Sequence, residues 1–129
     1  MRNMSFALTV ASFQNHTKDI TRRTGWNPLK PGEHFMAIQK GQGLKKGEHV
    51  RKLGECICIR NEPEPLFAIE RLPKRGIRSE VEREGFPDWK PEEFVKMFCK
   101  ANSKGKKKCY PETIINRIEF RRIHYEFHT

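Results

Sequence analysis

Hydrophobic and polar positions repeat with two periods along this chain, and the switches between them mark out its elements. Residues 5–9 alternate weakly and predict a first strand, and residues 10–16 follow as a short helix leading into residues 18–23. Trp26-Asn27-Pro28 and Lys30-Pro31-Gly32 are turn signals, and Phe35-Met36-Ala37-Ile38 beyond them predicts a short strand. Gly41, Gly43 and Gly47 break up a basic stretch that reads as a surface loop. Glu55-Cys56-Ile57-Cys58-Ile59-Arg60 predicts a strand, Asn61-Glu62-Pro63-Glu64-Pro65 a bend, and Leu66-Phe67-Ala68-Ile69 another strand. Ser79-x-x-Glu82 has the form of a capping box opening a short helix, and Gly85 fits its stop. Pro91 with Glu92 and Glu93 opens a second helix, which ends near Lys100 and turns Phe94, Met97 and Phe98 inward at helical spacing as core. Residues 113–127 form a last strand in which Ile118, Phe120 and Ile123 alternate imperfectly with charged positions.

Several strands, two or three short helices and no βαβ rhythm predict an α+β fold, a single-domain barrel of about five or six strands. A chain of 129 residues suits one domain, and neither a repeat nor a linker divides it. No apolar run is long enough to span a membrane and none follows the N-terminus as a signal would, so a cytoplasmic protein with no membrane partner is expected. A monomer without a cofactor is expected.

Charge adds a partner class. The net +10 is shared evenly, with about +5 on each half of the chain, so the whole domain and not a tail favours a polyanion. Five lysines crowd residues 100–108, among them Lys104, Lys106, Lys107 and Lys108, separated by Asn, Ser and Gly. This loop is the candidate nucleic-acid contact, and a solvated loop that aids solubility is the plainer alternative. No metal site is expected. Cys56 and Cys58 share one face of a strand and behave as small hydrophobes, Cys99 and Cys109 are too far apart for one zinc knuckle, and the five histidines are scattered.

Lys18-Asp19-Ile20-Thr21-Arg22-Arg23 carries the candidate chemistry. A regular strand would send Lys18 and Thr21 to opposite faces, whereas a bend would let both converge on one pocket. An amine beside a hydroxyl is the minimum equipment for activating an oxygen nucleophile, and two guanidiniums suit an anionic or hydrogen-bonding ligand.

The stretch from Phe13 to Trp26 is followed by Leu29-Lys30-Pro31-Gly32-Glu33, Gly43-Leu44-Lys45-Lys46-Gly47-Glu48 and Glu84-Gly85-Phe86-Pro87, then by Glu93 through Cys99 and by Ile118-Glu119-Phe120. In order and spacing this set resembles the ASCH family, small PUA-like domains, over roughly residues 5–125. The resemblance implies a PUA-like pseudo-barrel. Members are linked to RNA binding, to ribonuclease activity and, in one bacterial branch, to amide hydrolysis of acetylcytidine. That branch works with a Lys-x-x-Thr pair, matched here by Lys18 and Thr21, and with a glutamate before the second helix, matched by Glu84. Its arginine two residues after the threonine matches Arg23.

The implied function is therefore an amidohydrolase acting on a modified nucleoside or a base within RNA. Lys18, Thr21 and Glu84 would be catalytic, while Arg22, Arg23 and Trp26 bind the substrate. A non-catalytic RNA-binding module and a ribonuclease are the alternatives. Two departures from the pattern bear on this. His16-Thr17 replace the glycine and basic residue usual before the lysine, and Asp19 follows it, where an acid would hold Lys18 more firmly protonated. The plain alternative for Glu84 is a surface carboxylate paired with Arg83 or Lys90.

Overall fold

Among the described residues, five strands and four helices follow in the order β1 (Arg2–Ser5), α1 (Val10–Gln14), β2 (Ile20–Arg23), β3 (His34–Ile38), β4 (Lys52–Pro65), α2 (Ala68–Arg71), α3 (Glu80–Glu84), α4 (Pro91–Ala101) and β5 (Ile114–Arg122). The structure, a computed structural model, describes residues 1–40 and 44–123. Gly41 and Gly43 of the expected basic loop, and the end of the expected last strand with His124 and His128, lie outside the described residues.

The strands form one sheet in the order β1-β3-β4-β5-β2. β1 runs parallel to β3, and every other pairing is antiparallel. β4 is the spine. Its first part pairs with β3 and its second with β5, and the register breaks between Cys58 and Arg60. Such an irregularity adds bend and twist to a strand. The sheet curls into a half-barrel that is not closed, consistent with the expected barrel-like α+β fold, and four helices stand among the described residues in place of two or three.

Two cores result. Inside the curl, Met4, Phe6, Phe13, Trp26, Phe35, Ile118 and Phe120 cluster with Cys56 and Cys58. Phe6 stacks on Phe13 and Phe120 at centroid distances of 5.3 and 5.6 Å. On the other face, α2, α3 and α4 bury Leu66, Ile69, Val81, Phe94, Phe98 and Ile115. β5 therefore has both faces covered. Ile118 and Phe120 face the first core and Ile115 the second, with Arg117 and Glu119 in phase with Ile115. This is why its alternation reads imperfectly in the sequence.

Three expected elements are corrected. The first strand is Arg2–Ser5 and not residues 5–9, because the chain turns at Phe6, whose carbonyl accepts from Thr9 N. The bend expected over residues 61–65 is the second half of β4, whose Pro63 and Pro65 pair with Asn116 and Ile114. The strand expected over residues 66–69 is instead the approach to the helical turn α2, and Leu66 and Ile69 enter the core three residues apart. A four-residue apolar run does not separate the two conformations by period. The helix expected at Ser79 forms as read, with Ser79 Oγ accepting from Glu82 N and Gly85 closing it at φ 107°.

Candidate functional site

A cleft of about 230 Å³ opens where the first turn of the chain, the start of β2, the end of α3 and one face of α4 meet. Lys18, Thr21, Arg22, Arg23 and Glu84 line it together with Phe6, Phe86, Phe94 and Phe98. The three residues expected to be catalytic thus share one cavity. The aromatic stripe of α4 is core on one side and cleft wall on the other.

The convergence is built locally. Ser12 of α1 accepts from the backbone N–H groups of Thr17 and Lys18, at 3.0 and 3.1 Å, and its hydroxyl donates to Gly85 O at 3.0 Å. One residue therefore ties the Lys18 backbone to the corner that carries Glu84. At that corner a side chain on Gly85 would meet Thr9 Cγ2 at 2.9 Å, and its φ of 107° is itself a glycine conformation. Lys18 precedes β2, so the strand's alternation does not send it away from Thr21.

The Lys18 ammonium donates to Ile20 O at 2.8 Å, to Glu84 O at 2.6 Å and to Glu84 Oε1 at 3.3 Å. Those are all three donors it has. One acceptor is a last-turn carbonyl of α3, where a cation also complements the helix dipole. Burial lowers the Lys18 pKa, Glu84 pulls it back up, and Arg23 and Arg22 lower it further, to a net value of about 8 from 10.5. The acid beside it does not hold it charged, because Asp19 turns to Arg83 Nε at 2.8 Å. Thr21 Oγ1 does not receive Lys18. It accepts from Arg23 Nε at 2.9 Å, and the Arg23 guanidinium lies 5.0 Å from the centre of the Phe6 ring. Burial lowers the Arg23 pKa from its ordinary value, against the pull of Glu84.

Arg22 also borders the cleft, but its guanidinium turns to the carboxylates of α3. Its Nη1 donates to Glu84 Oε2 at 2.9 Å and its Nη2 to Glu80 Oε1 at 2.7 Å, and its side chain has no exposed surface. Directly across the strand pair stands Arg117, which holds Glu80 from its other side through Nε and Nη2 at 2.6 and 2.9 Å. Like charges opposite each other in a sheet repel, and here the Glu80 carboxylate of α3 sits across both. Burial alone would raise the Glu80 pKa. The hydrogen bonds and charges of Arg117 and Arg22 outweigh that and hold it at about 2.

Of the expected substrate-binding residues, Arg22 and Arg23 line the cleft and Trp26 does not. Arg22 is engaged by carboxylates, and Trp26 lies in the inner core against Phe35, with the Arg2 guanidinium 3.7 Å from its ring centre. Glu84 is buried, not a surface carboxylate. Sequence reading missed Glu80 and Arg117. Their only signal is the spacing of Glu80 and Glu84, four apart on one helix face, opposite a strand whose Arg22 is out of phase with Thr21.

The basic loop after α4 is a closed turn. Lys104 and Lys107 exchange two backbone hydrogen bonds at 2.9 Å around Gly105, and Ser103 Oγ links Cys99 O to Cys109 N. Lys104, Lys106, Lys107 and Lys108 are exposed and form no ion pair among the described residues. The turn starts two residues beyond Asn102, which lines the rim of the cleft. Among the described residues no cluster of three or more His, Cys, Asp or Glu could hold a metal ion, and no helix is long and apolar enough to cross a membrane.

By architecture the chain is a small α+β domain with a curled, barrel-like five-stranded sheet. It is similar to the crystal structure of protein EF3133 from Enterococcus faecalis V583, a DUF984 protein, with a TM-score of 0.60 and 16% identity over 93% of this chain and 75% of that one. At that identity the likeness is one of fold. No family model matches the chain, and no curated protein does.

Proposed function

We propose that the cleft hydrolyses the exocyclic amide of an acylated nucleoside such as acetylcytidine, the activity of the ASCH branch that the sequence resembles. The observation that carries this reading is the convergence of Lys18, Thr21 and Glu84, from a loop, a strand and a helix end, on one small cavity. The cleft is smaller than the roughly 300–1,000 Å³ usual for drug-sized ligands, and four phenylalanines wall it. That suits one flat base-sized group.

In this reading Thr21 Oγ attacks the acyl carbon. A bond forms from that oxygen, the carbon–nitrogen bond breaks, and the amine leaves with a proton. Water then cleaves the threonine ester by the same route. Arg23 Nε fixes the Thr21 oxygen and leaves its O–H free to donate, while the other Arg23 nitrogens are available to the acyl oxygen. Lys18, with its pKa lowered to about 8, can give up and regain a proton close to neutral pH. Its N–H groups are turned to Glu84 and Ile20, so the Thr21 proton reaches it through a water or after the ligand displaces one of those bonds.

Purified protein given acetylcytidine should release cytidine, read by chromatography. Thr21→Ala and Lys18→Ala should each cut the rate at least about a hundredfold. A second reading, a non-catalytic RNA-binding module, is favoured by the exposed lysine turn that follows the cleft rim. If the wild type binds RNA but leaves acetylcytidine intact, that reading replaces the first.

A further inference from the structure

Among the described residues Arg22 is the one cation that touches two carboxylates of α3 at once, and one of them is the partner of Lys18. Glu84 gives Oε1 to Lys18 at 3.3 Å and Oε2 to Arg22 at 2.9 Å. The shorter contact goes to Arg22 and not to Lys18. Nη2 of the same guanidinium is anchored on Glu80, which Arg117 grips in turn, so Arg22 cannot follow Glu84 toward Lys18. We propose that Arg22 is a positioning residue that divides the Glu84 carboxylate between two cations, and so keeps Lys18 out of a one-to-one ion pair.

The chemistry favours such a device. A buried lysine closed on a single carboxylate is strongly held in its cationic form. Such a lysine cannot take up a proton. A planar guanidinium holds two carboxylates on separate Nη atoms in a fixed fork, whereas an ammonium donates to all its partners from a single atom. The charged groups facing Lys18 are Glu84 from α3 and Arg22 and Arg23 from β2, with Glu80, Arg117 and Glu64 a shell further out. Asp19 is held away by Arg83. Among these, Glu84 is the group that raises the Lys18 pKa, and Arg22 is the one that restrains Glu84.

The inference rests on reading Lys18 as the proton carrier of the cleft, but its test needs no substrate. Lysine side-chain NMR, with the Lys18 signal assigned by its loss in Lys18→Arg, gives the titration midpoint of the free protein. In Arg22→Met the midpoint should rise by about one unit, and in Arg22→Lys by about half a unit. Backbone amide spectra confirm that each variant is folded, and the lysine variant, which keeps the charge, covers the case in which Met does not fold. A midpoint that moves in Arg22→Met but not in Arg22→Lys means that Arg22 acts by charge alone, and positioning is overturned. A midpoint unmoved in both overturns it as well. If acetylcytidine is a substrate, the acid limb of the kcat profile should shift upward with the midpoint. Absence of hydrolysis beside a shifted midpoint would remove the amidase reading and leave the role of Arg22 standing.

Discussion

Charge is concentrated in two regions, the seam where α3 lies over β2 and β5 and the turn that follows α4, and the two obey opposite rules. The seam links Lys18, Arg22, Arg75, Arg83 and Arg117 with Asp19, Glu64, Glu80, Glu84 and Glu119. Five cations face five carboxylates there, so the seam is neutral and the whole +10 lies elsewhere. In the turn, lysines stand in water with no ion pair among the described residues. Desolvation makes each seam charge depend on its partners, because an uncompensated ion away from water costs several kcal/mol. Water screens the turn, so each lysine is dispensable to the fold, yet together they attract anions at a distance. The seam fixes where chemistry can occur. The turn sets what is drawn toward it.

The largest effect expected is at the centre of the seam. Glu80→Gln leaves Arg22 and Arg117 facing each other without the carboxylate between them, and should cost about 3–5 kcal/mol in urea unfolding at pH 7. A loss below about 1 kcal/mol would show that the seam charges are not interdependent and would dissolve the contrast. Acid comes next. The folded Glu80 carboxyl titrates at about 2 in place of 4.5, so between those values the unfolded chain binds more protons than the folded one. The stability it contributes is present above pH 4.5 and falls as pH drops toward 2. That loss is about 3 kcal/mol by linkage and should be visible as a falling urea midpoint. Glu119, lowered against its own burial by Arg117 and Arg83, adds in the same direction.

The smallest effect on stability belongs to the turn. Changing Lys104, Lys106, Lys107 and Lys108 to Ser should alter unfolding by no more than about 0.5 kcal/mol. Over the same change, the slope of log affinity against log salt for single-stranded RNA should flatten by roughly two units. An unchanged slope would make the turn a solvated bystander and leave the +10 a matter of solubility.

This contrast also separates what could be read in the chain from what could not. Five lysines in nine residues announce a basic patch without any knowledge of the fold. Ser79-x-x-Glu82 and Gly85 announce α3 because capping is local. Lys18 and Thr21 stand out by residue type and Glu84 through the resemblance, and all three line the cleft, but their partners are not legible. Alternation in β2 separates Thr21 from Arg22 without saying which face is covered. Arg117 among isoleucines reads as a solvent position, and only the pairing of Arg22 with Arg117 beneath α3 reveals a buried one. Asp19 reads as a partner of its neighbour Lys18 until the fold brings Arg83 within 2.8 Å of it. Trp26 fails for the same reason, since nothing local distinguishes an aromatic that stacks on a ligand from one that packs on Phe35. The second half of β4 was hidden by its prolines, which usually exclude a strand from a sheet interior.

Those prolines have a further consequence. β3 pairs with β4 only from Lys52 to Ile57, so beyond the register break the far half of β4 keeps one flank with no strand beside it among the described residues. A bare flank of extended backbone is an invitation to a second copy at high concentration, the first step toward fibrils and turbid solutions. Pro63 and Pro65 have no N–H to offer, and Arg60, Glu62 and Glu64 add charge along the same stretch. The segment whose composition concealed a strand is also the one that stops that strand from recruiting another, and replacing Pro63 and Pro65 with valine should show it as light scattering that grows on concentration.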